Sequence, residues 1–146
     1  MNVEATVRQL ADLESIRDLA RRYAHFVWQK DAANAVALFA DDAEMDTGDR
    51  PPIRGREALL EAYQAMFATS EFHPTIHNHV VEFDSSGNGA SGTCYLSLEA
   101  TIDGVSQVGT GVYRDRYARV GDAWKFQSRK LSMVYLVESD SCRSKP

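Results

Sequence analysis

Apolar side chains recur at Val7, Leu10, Leu13, Ile16, Leu19, Ala20, Tyr23, Phe26 and Val27, in steps of three and four that draw one stripe along a helix. The spacing predicts a long amphipathic helix over 7–28. A shorter helix is expected over 32–39, with Val36 and Phe39 on one face, Asp31 placed to cap its start and Ala40-Asp41-Asp42 closing it. A strand is expected over 43–46. Gly48, Pro51, Pro52 and Gly55 then mark a loop, after which Leu59, Leu60, Tyr63, Met66 and Phe67 return to helical spacing within 56–68.

From His77 onward the period changes. Val80-Val81-Glu82-Phe83 runs into Asp84-Ser85-Ser86-Gly87-Asn88-Gly89, a turn rich in residues that tolerate positive φ. Cys94, Leu96, Leu98, Ala100 and Ile102 alternate with Thr93, Tyr95, Ser97, Glu99 and Thr101. Asp103-Gly104 and Gly121-Asp122 supply two further turns, and the run from Trp124 to Val137 is β-branched and aromatic. Gly109 and Gly111 inside a strand point to bulging that lets a sheet bend. Helices first and a meander of four long strands afterwards predict an α+β fold, helices packed on the concave side of a curved, mainly antiparallel sheet.

Composition narrows the function classes. With 146 residues the chain is sized for a single domain, expected over 1–138 with a flexible tail at 139–146. Sixteen basic against 21 acidic residues leave a net charge of -5, the wrong sign for holding a phosphate backbone, so no nucleic acid is expected as partner. Apolar runs are too short to span a bilayer and the N-terminal stretch is charged where a secretory segment would be apolar, so no membrane partner and a cytoplasmic location are expected. Two cysteines, Cys94 in an apolar run and Cys142 in the polar tail, read as free thiols. The His73, His77, His79 cluster has no Cys or carboxylate at ligand spacing, and the chain carries no phosphate loop or GxSxG elbow, so neither metal nor cofactor is expected.

Five short strings in this order carry a resemblance: Arg22-Tyr23-Ala24, Ala37-Leu38-Phe39-Ala40-Asp41-Asp42-Ala43, Ile53-Arg54-Gly55-Arg56-Glu57-Ala58-Leu59, Gly111-Val112-Tyr113-Arg114-Asp115-Arg116-Tyr117 and Gly121-Asp122-Ala123-Trp124-Lys125-Phe126. Together they resemble the SnoaL-like branch of the nuclear transport factor 2-like superfamily over nearly the whole chain. The resemblance implies a cone-shaped half-barrel with an apolar pocket between sheet and long helix, in a homodimer or homotrimer. It leaves the chemistry open, since that superfamily holds dehydratases, dehydrochlorinases, isomerases, polyketide cyclases and domains that only bind. Thr75-Ile76-His77 and Trp124-Lys125-Phe126 look most like the dehydratase and dehydrochlorinase group, which implies a cofactor-independent lyase acting on a small hydrophobic, aromatic or polycyclic, oxygenated molecule. The alternatives are a non-catalytic binding or association domain and a polyketide-cyclase or isomerase-like enzyme.

Within that reading His77 is the leading base, because imidazole titrates near neutrality and this residue opens the strand where the group places its histidine. Strict alternation puts His77 and His79 on one face with Val81 and Phe83. The group orients its histidine with an aspartate near the end of the first helix, a position that falls here on Trp28, whose indole stacks and donates but accepts no proton. Asp46 or Glu44 would supply a replacement carboxylate if turned inward. Tyr23, on the apolar stripe, would polarise a substrate oxygen or else be a core aromatic with a satisfied hydroxyl. Tyr95 contacts substrate only if the polar face of its strand lines the pocket, and Arg129 either binds an anionic or phenolic oxygen or pairs with surface carboxylates. Arg114, Arg116 and Arg119, interleaved with Tyr113, Asp115 and Tyr117, read as a solvated or interface strand.

Overall fold

The computed structural model describes residues 2–139; Met1 and residues 140–146, which include Cys142 and most of the expected tail, lie outside the described residues. Three helices pack on one face of a six-stranded, curved and unclosed sheet of order β2-β1-β6-β5-β4-β3, in which only the β1–β6 pair is parallel.

Helix α1 (Val3–Trp28) is capped by Asn2, whose side-chain oxygen accepts from the Ala5 amide at 2.7 Å. Its buried face is Ile16, Leu19, Ala20, Tyr23, Ala24 and Val27, while Val7 and Leu10 of the same stripe are exposed. The fully buried residues of the stripe therefore begin only at Ile16. Asp12 fastens the helix to the far end of the sheet, accepting from Arg119 at 2.7 Å and from the Trp124 indole at 3.2 Å.

Helix α2 (Ala32–Ala37) is shorter than its pattern predicts. Asp31 caps it as expected, but Phe39 leaves the helix and enters β1 (Phe39–Asp46), because the Leu38 carbonyl is captured by the Phe126 amide at 2.9 Å and Phe39 registers against Phe126. A two-residue strand that periodicity cannot show, β2 (Ile53–Arg54), precedes α3 (Arg56–Thr69). Strand β3 (Ser70–Phe83) starts well before His77, straight through Pro74. It is an edge strand, where a residue without an amide proton forfeits no ladder bond.

Strands β4 (Gly89–Ile102), β5 (Val105–Val120) and β6 (Ala123–Glu138) complete the meander. Asp103 and Gly104 both have positive φ, 50° and 85°, the geometry of a two-residue hairpin turn that follows the twist of its strands. Cys94, Leu96, Leu98 and Ala100 are buried toward the helices, and Tyr95 and Glu99 face away.

The sheet bends at its register shifts. Opposite Gly109 and Gly111 the extra residue sits on β6, since Thr110 pairs with Tyr135 and Gly111 with Met133, leaving Val134 unpaired. Both glycines are buried because the bulged β6 backbone closes over them. A methyl group on Gly109 would collide with the Tyr135 carbonyl oxygen and meet the Leu136 Cα at 3.0 Å. Gly109→Ala is therefore expected to destabilise the fold by about 1–3 kcal/mol, read as a lowered denaturation midpoint, because the obstacle is backbone and cannot rotate aside. An unchanged midpoint would contradict this reading of the bulge.

Candidate functional site

A cavity of about 760 Å³ opens between the helices and the concave face of the sheet. Its walls are mostly apolar: Val27 from α1, Met66 and Phe67 from α3, Pro74 from β3, Leu98 from β4 and Met133 from β6. The exposed residues Asp49, Arg50, Asp103 and Lys130 mark the open end. At the buried end stand three phenols from three different elements, Tyr23, Tyr63 and Tyr113, each at most 4% exposed.

The phenols are not equivalent. Tyr23 and Tyr63 hydroxyls bond each other at 2.5 Å, their rings edge-to-face. Tyr113 Oη has no hydrogen-bond partner among the described residues, although the residue lines the cavity. Burial raises the pKa of all three above the ordinary phenol value, so at neutral pH they are neutral hydroxyls able to donate.

Behind the phenols lies a buried ion pair. Arg129, fully buried on β6, donates from Nε to Asp115 Oδ1 at 2.8 Å and from Nη2 to Oδ2 at 3.2 Å. Its guanidinium lies against the rings of Tyr113, Phe126 and Tyr23, at 3.6, 4.3 and 4.6 Å from their centroids. Among the described residues Nη1 makes no hydrogen bond. The Tyr117 hydroxyl gives its only proton to Asp115 Oδ2 at 2.9 Å, which obliges His79 Nε2, 2.8 Å from the same oxygen, to be the donor. Gly92 leaves room for this seat, since a Cβ there would fall 2.6 Å from the Tyr117 oxygen. The result is one polar chain, His79–Tyr117–Asp115–Arg129, running under the sheet-side wall of the cavity.

Among the described residues no three His, Cys, Asp or Glu side chains are grouped to hold a metal ion, and no helix is long and apolar enough to cross a membrane. The SnoaL-like domain family matches this chain over residues 8–130. The chain belongs to that family. Among solved structures similar to it are a hexachlorocyclohexane dehydrochlorinase, LinA type 3, from Novosphingobium barchaimii, with a TM-score of 0.86 at 21% identity over 97% of this chain and 99% of that one. A scytalone dehydratase-like protein from Novosphingobium aromaticivorans reaches 0.81 at 20% identity, covering 92% and 91%. An NTF2-like protein with a cystatin-like fold from the same organism reaches 0.78 at 21%, covering 98% and 94%. At such identities the likeness is one of fold. No curated protein matches the chain.

Within this SnoaL-like domain the residues singled out from sequence are dispersed. His77 is exposed and hydrogen-bonds Ser97 Oγ at 2.6 Å; it does not line the cavity. Its separation from His79 arises from a bulge: Ile76 registers with Leu96 and His79 with Cys94, so His77 and Asn78 together face Tyr95 and strict alternation fails. His79 turns inward to Tyr117 and is screened from the cavity. Trp28 is 47% exposed, stacks on His73 at 4.2 Å and donates its indole proton to the Pro74 carbonyl at 2.7 Å, pinning β3 to the end of α1 beside the wall residues Val27 and Pro74. Asp46 accepts from the Gly48 amide and Glu44 pairs with Arg54. Tyr95 lies on the outer face, and Tyr23 is both a core aromatic and a cavity phenol, its hydroxyl satisfied by a side chain. Arg129 pairs with a carboxylate that is buried, Asp115, so β5 is not a solvated strand on both faces: Arg114 and Arg116 face out and Tyr113, Asp115 and Tyr117 face in.

His79 ties this chain to pH. Burial carries its pKa from 6.5 down to about 4, against the pull of Asp115, because the cation would lose water there. The unfolded chain takes up the proton near 6.5 and the folded protein only near 4. Stability is therefore fully present above the first value and declines as pH falls through the interval, by about 1–3 kcal/mol after allowance for partial exposure. Urea midpoints between pH 7 and 4.5 should show this slope in the wild type and a flatter one in His79→Gln, whose amide still donates to Tyr117; equal slopes would contradict the assignment.

Proposed function

We propose that this SnoaL-like domain is a cofactor-independent lyase of the dehydratase or elimination type, acting on a small hydrophobic, aromatic or polycyclic molecule whose oxygen is held at the phenol end of the cavity. The observation that carries this reading is the Tyr113 hydroxyl, a donor without a partner among the described residues, at the buried end of a cavity whose walls are mostly apolar. A ligand oxygen is a fitting acceptor for it, since the hydroxyl is accessible from the cavity and can exchange water for a ligand there.

The chemistry is led by the acid side. Tyr113, with the Tyr23–Tyr63 pair beside it, donates to a departing hydroxyl or a carbonyl oxygen, and the guanidinium behind its ring stabilises the charge that develops there. The proton on the neighbouring carbon passes to water entering from the open end, and solvent returns a proton to the Tyr113 oxygen, so that the phenol is neutral again after each turnover. His77, with its ring on Ser97 outside the cavity, has no path to an oxygen bound at the phenols and is given no role in this reading. The dehydrochlorinase and dehydratase-like neighbours support elimination as the reaction type through shared fold.

A second reading, a small-ligand-binding domain without catalysis, is favoured by one observation: among the cavity's lining residues no histidine occurs and the only carboxylates are at the open end. Turnover separates the two. With benzylic secondary alcohols such as 1-tetralol as probes, dehydration followed by product absorbance is expected for the wild type and to fall about 100-fold in Tyr113→Phe, with probe affinity changed far less. Binding without turnover would establish the second reading, and turnover unaltered by Tyr113→Phe would remove Tyr113 from the mechanism.

A further inference from the structure

We propose that Arg129 and Asp115 act as opposed positioning residues for the Tyr113 hydroxyl, Arg129 making it the better proton donor and Asp115 restraining that effect. The proposal rests on the reading that Tyr113 meets the ligand oxygen, and it assigns the buried chain a task beyond packing.

The geometry sets a dipole against one phenol. The positive end, the guanidinium, lies 3.6 Å from the Tyr113 ring centroid, closer than to any other ring it touches. The negative end, Asp115, stands two residues along the same face of β5 and takes up Nε and Nη2, on the side of the guanidinium away from the unbonded Nη1. Apart from Asp49, Arg50, Asp103 and Lys130 at the open end of the cavity, the other titratable groups facing this space among the described residues are neutral near pH 7. From α1 and α3 these are Tyr23 and Tyr63, from β3 His79, from β4 Cys94 with its thiol pushed up to about 11 by burial, and from β5 Tyr117. The pair is thus the one source of full charge inside this wall among the described residues, and in a buried setting its field is weakly screened. The Tyr113 acidity follows the same signs: burial and Tyr23 raise its pKa, Arg129 pulls it down and Asp115 pushes it up.

Tyr117 extends the device. By donating to Asp115 Oδ2 it withdraws part of the carboxylate charge, and His79 holds the Tyr117 oxygen in place.

The test reads Tyr113 itself. In the full chain, 3,5-difluorotyrosine in place of Tyr113 brings the phenol into an accessible titration range, followed by fluorine NMR against pH. Asp115→Asn, which leaves the cation uncompensated, is expected to lower the midpoint, and Arg129→Gln to raise it, each by about one pH unit; Arg129→Lys, keeping the charge, should stay near wild type. A role confined to packing would admit water in every variant and lower all the midpoints. Should Arg129→Gln fail to fold, Tyr117→Phe takes its place, because stripping a donor from Asp115 is expected to raise the midpoint where loosening would lower it. Opposite shifts support the proposal, and shifts of one sign, or none, overturn it. Opposite shifts together with unaltered turnover in Tyr113→Phe would sustain the electrostatic support while removing the functional reading it was built on. Lost turnover with shifts of one sign would do the reverse.

Discussion

One charge in the core organises this protein. Arg129 is fully buried, and a guanidinium out of water is tolerated only where a carboxylate and polarisable faces replace its hydration. Asp115 supplies the first, and Tyr23, Tyr113 and Phe126 the second. Those demands fix the inward face of β5, bring α1 down onto the sheet at Tyr23, and leave both caging phenols lining the cavity. Removing either charge alone would strand the other, at a cost of about 3–5 kcal/mol. The same contacts that satisfy the cation therefore build the chemically interesting end of the cavity.

The cavity exists because the sheet bends and is never closed on itself. The bulges at 77–78 and at Val134 change which face successive side chains present, and so decide which of them turn toward the helices. One turned His79 inward and His77 outward. The other allowed the β6 backbone to close over Gly109, curving the sheet around the space that α1 and α3 cover. Pro74, at an edge where it forfeits no bond, contributes wall surface and a carbonyl that the Trp28 indole takes. Trp28, where the resemblance implies an aspartate, is a structural clamp in this chain, and the donors at the buried end of the cavity are phenols.

Much of the fold was legible in the residues themselves. The helical stripe ending at Val27, the Asp31 cap, the Asp103-Gly104 and Gly121-Asp122 turns and the alternation of β4 are local patterns, and local patterns survive tertiary packing. The site was less legible because it depends on register. A single extra residue on β3 reverses facing, and no periodicity announces it. Asp115 offered a signal that went unused: two tyrosines at i−2 and i+2 mark its face of β5 as the apolar one, so a carboxylate there needed a buried cation, and Arg129 on the neighbouring strand was the candidate. Tyr63 sat within an apolar helical stripe and read as packing, a description its burial supports, whereas Tyr113 sat in a strand expected to be solvated or at an interface and is buried instead.

The central claim is that a ligand's oxygen is received by the phenols at the buried end. A crystal structure of the protein soaked with 1-tetralol and larger polycyclic alcohols tests it most directly. The account predicts the apolar body between α3 and β6 with its oxygen within hydrogen-bond distance of Tyr113 Oη. Ligand oxygen bound at His77, or a cavity that stays without ligand at saturating probe, would contradict it.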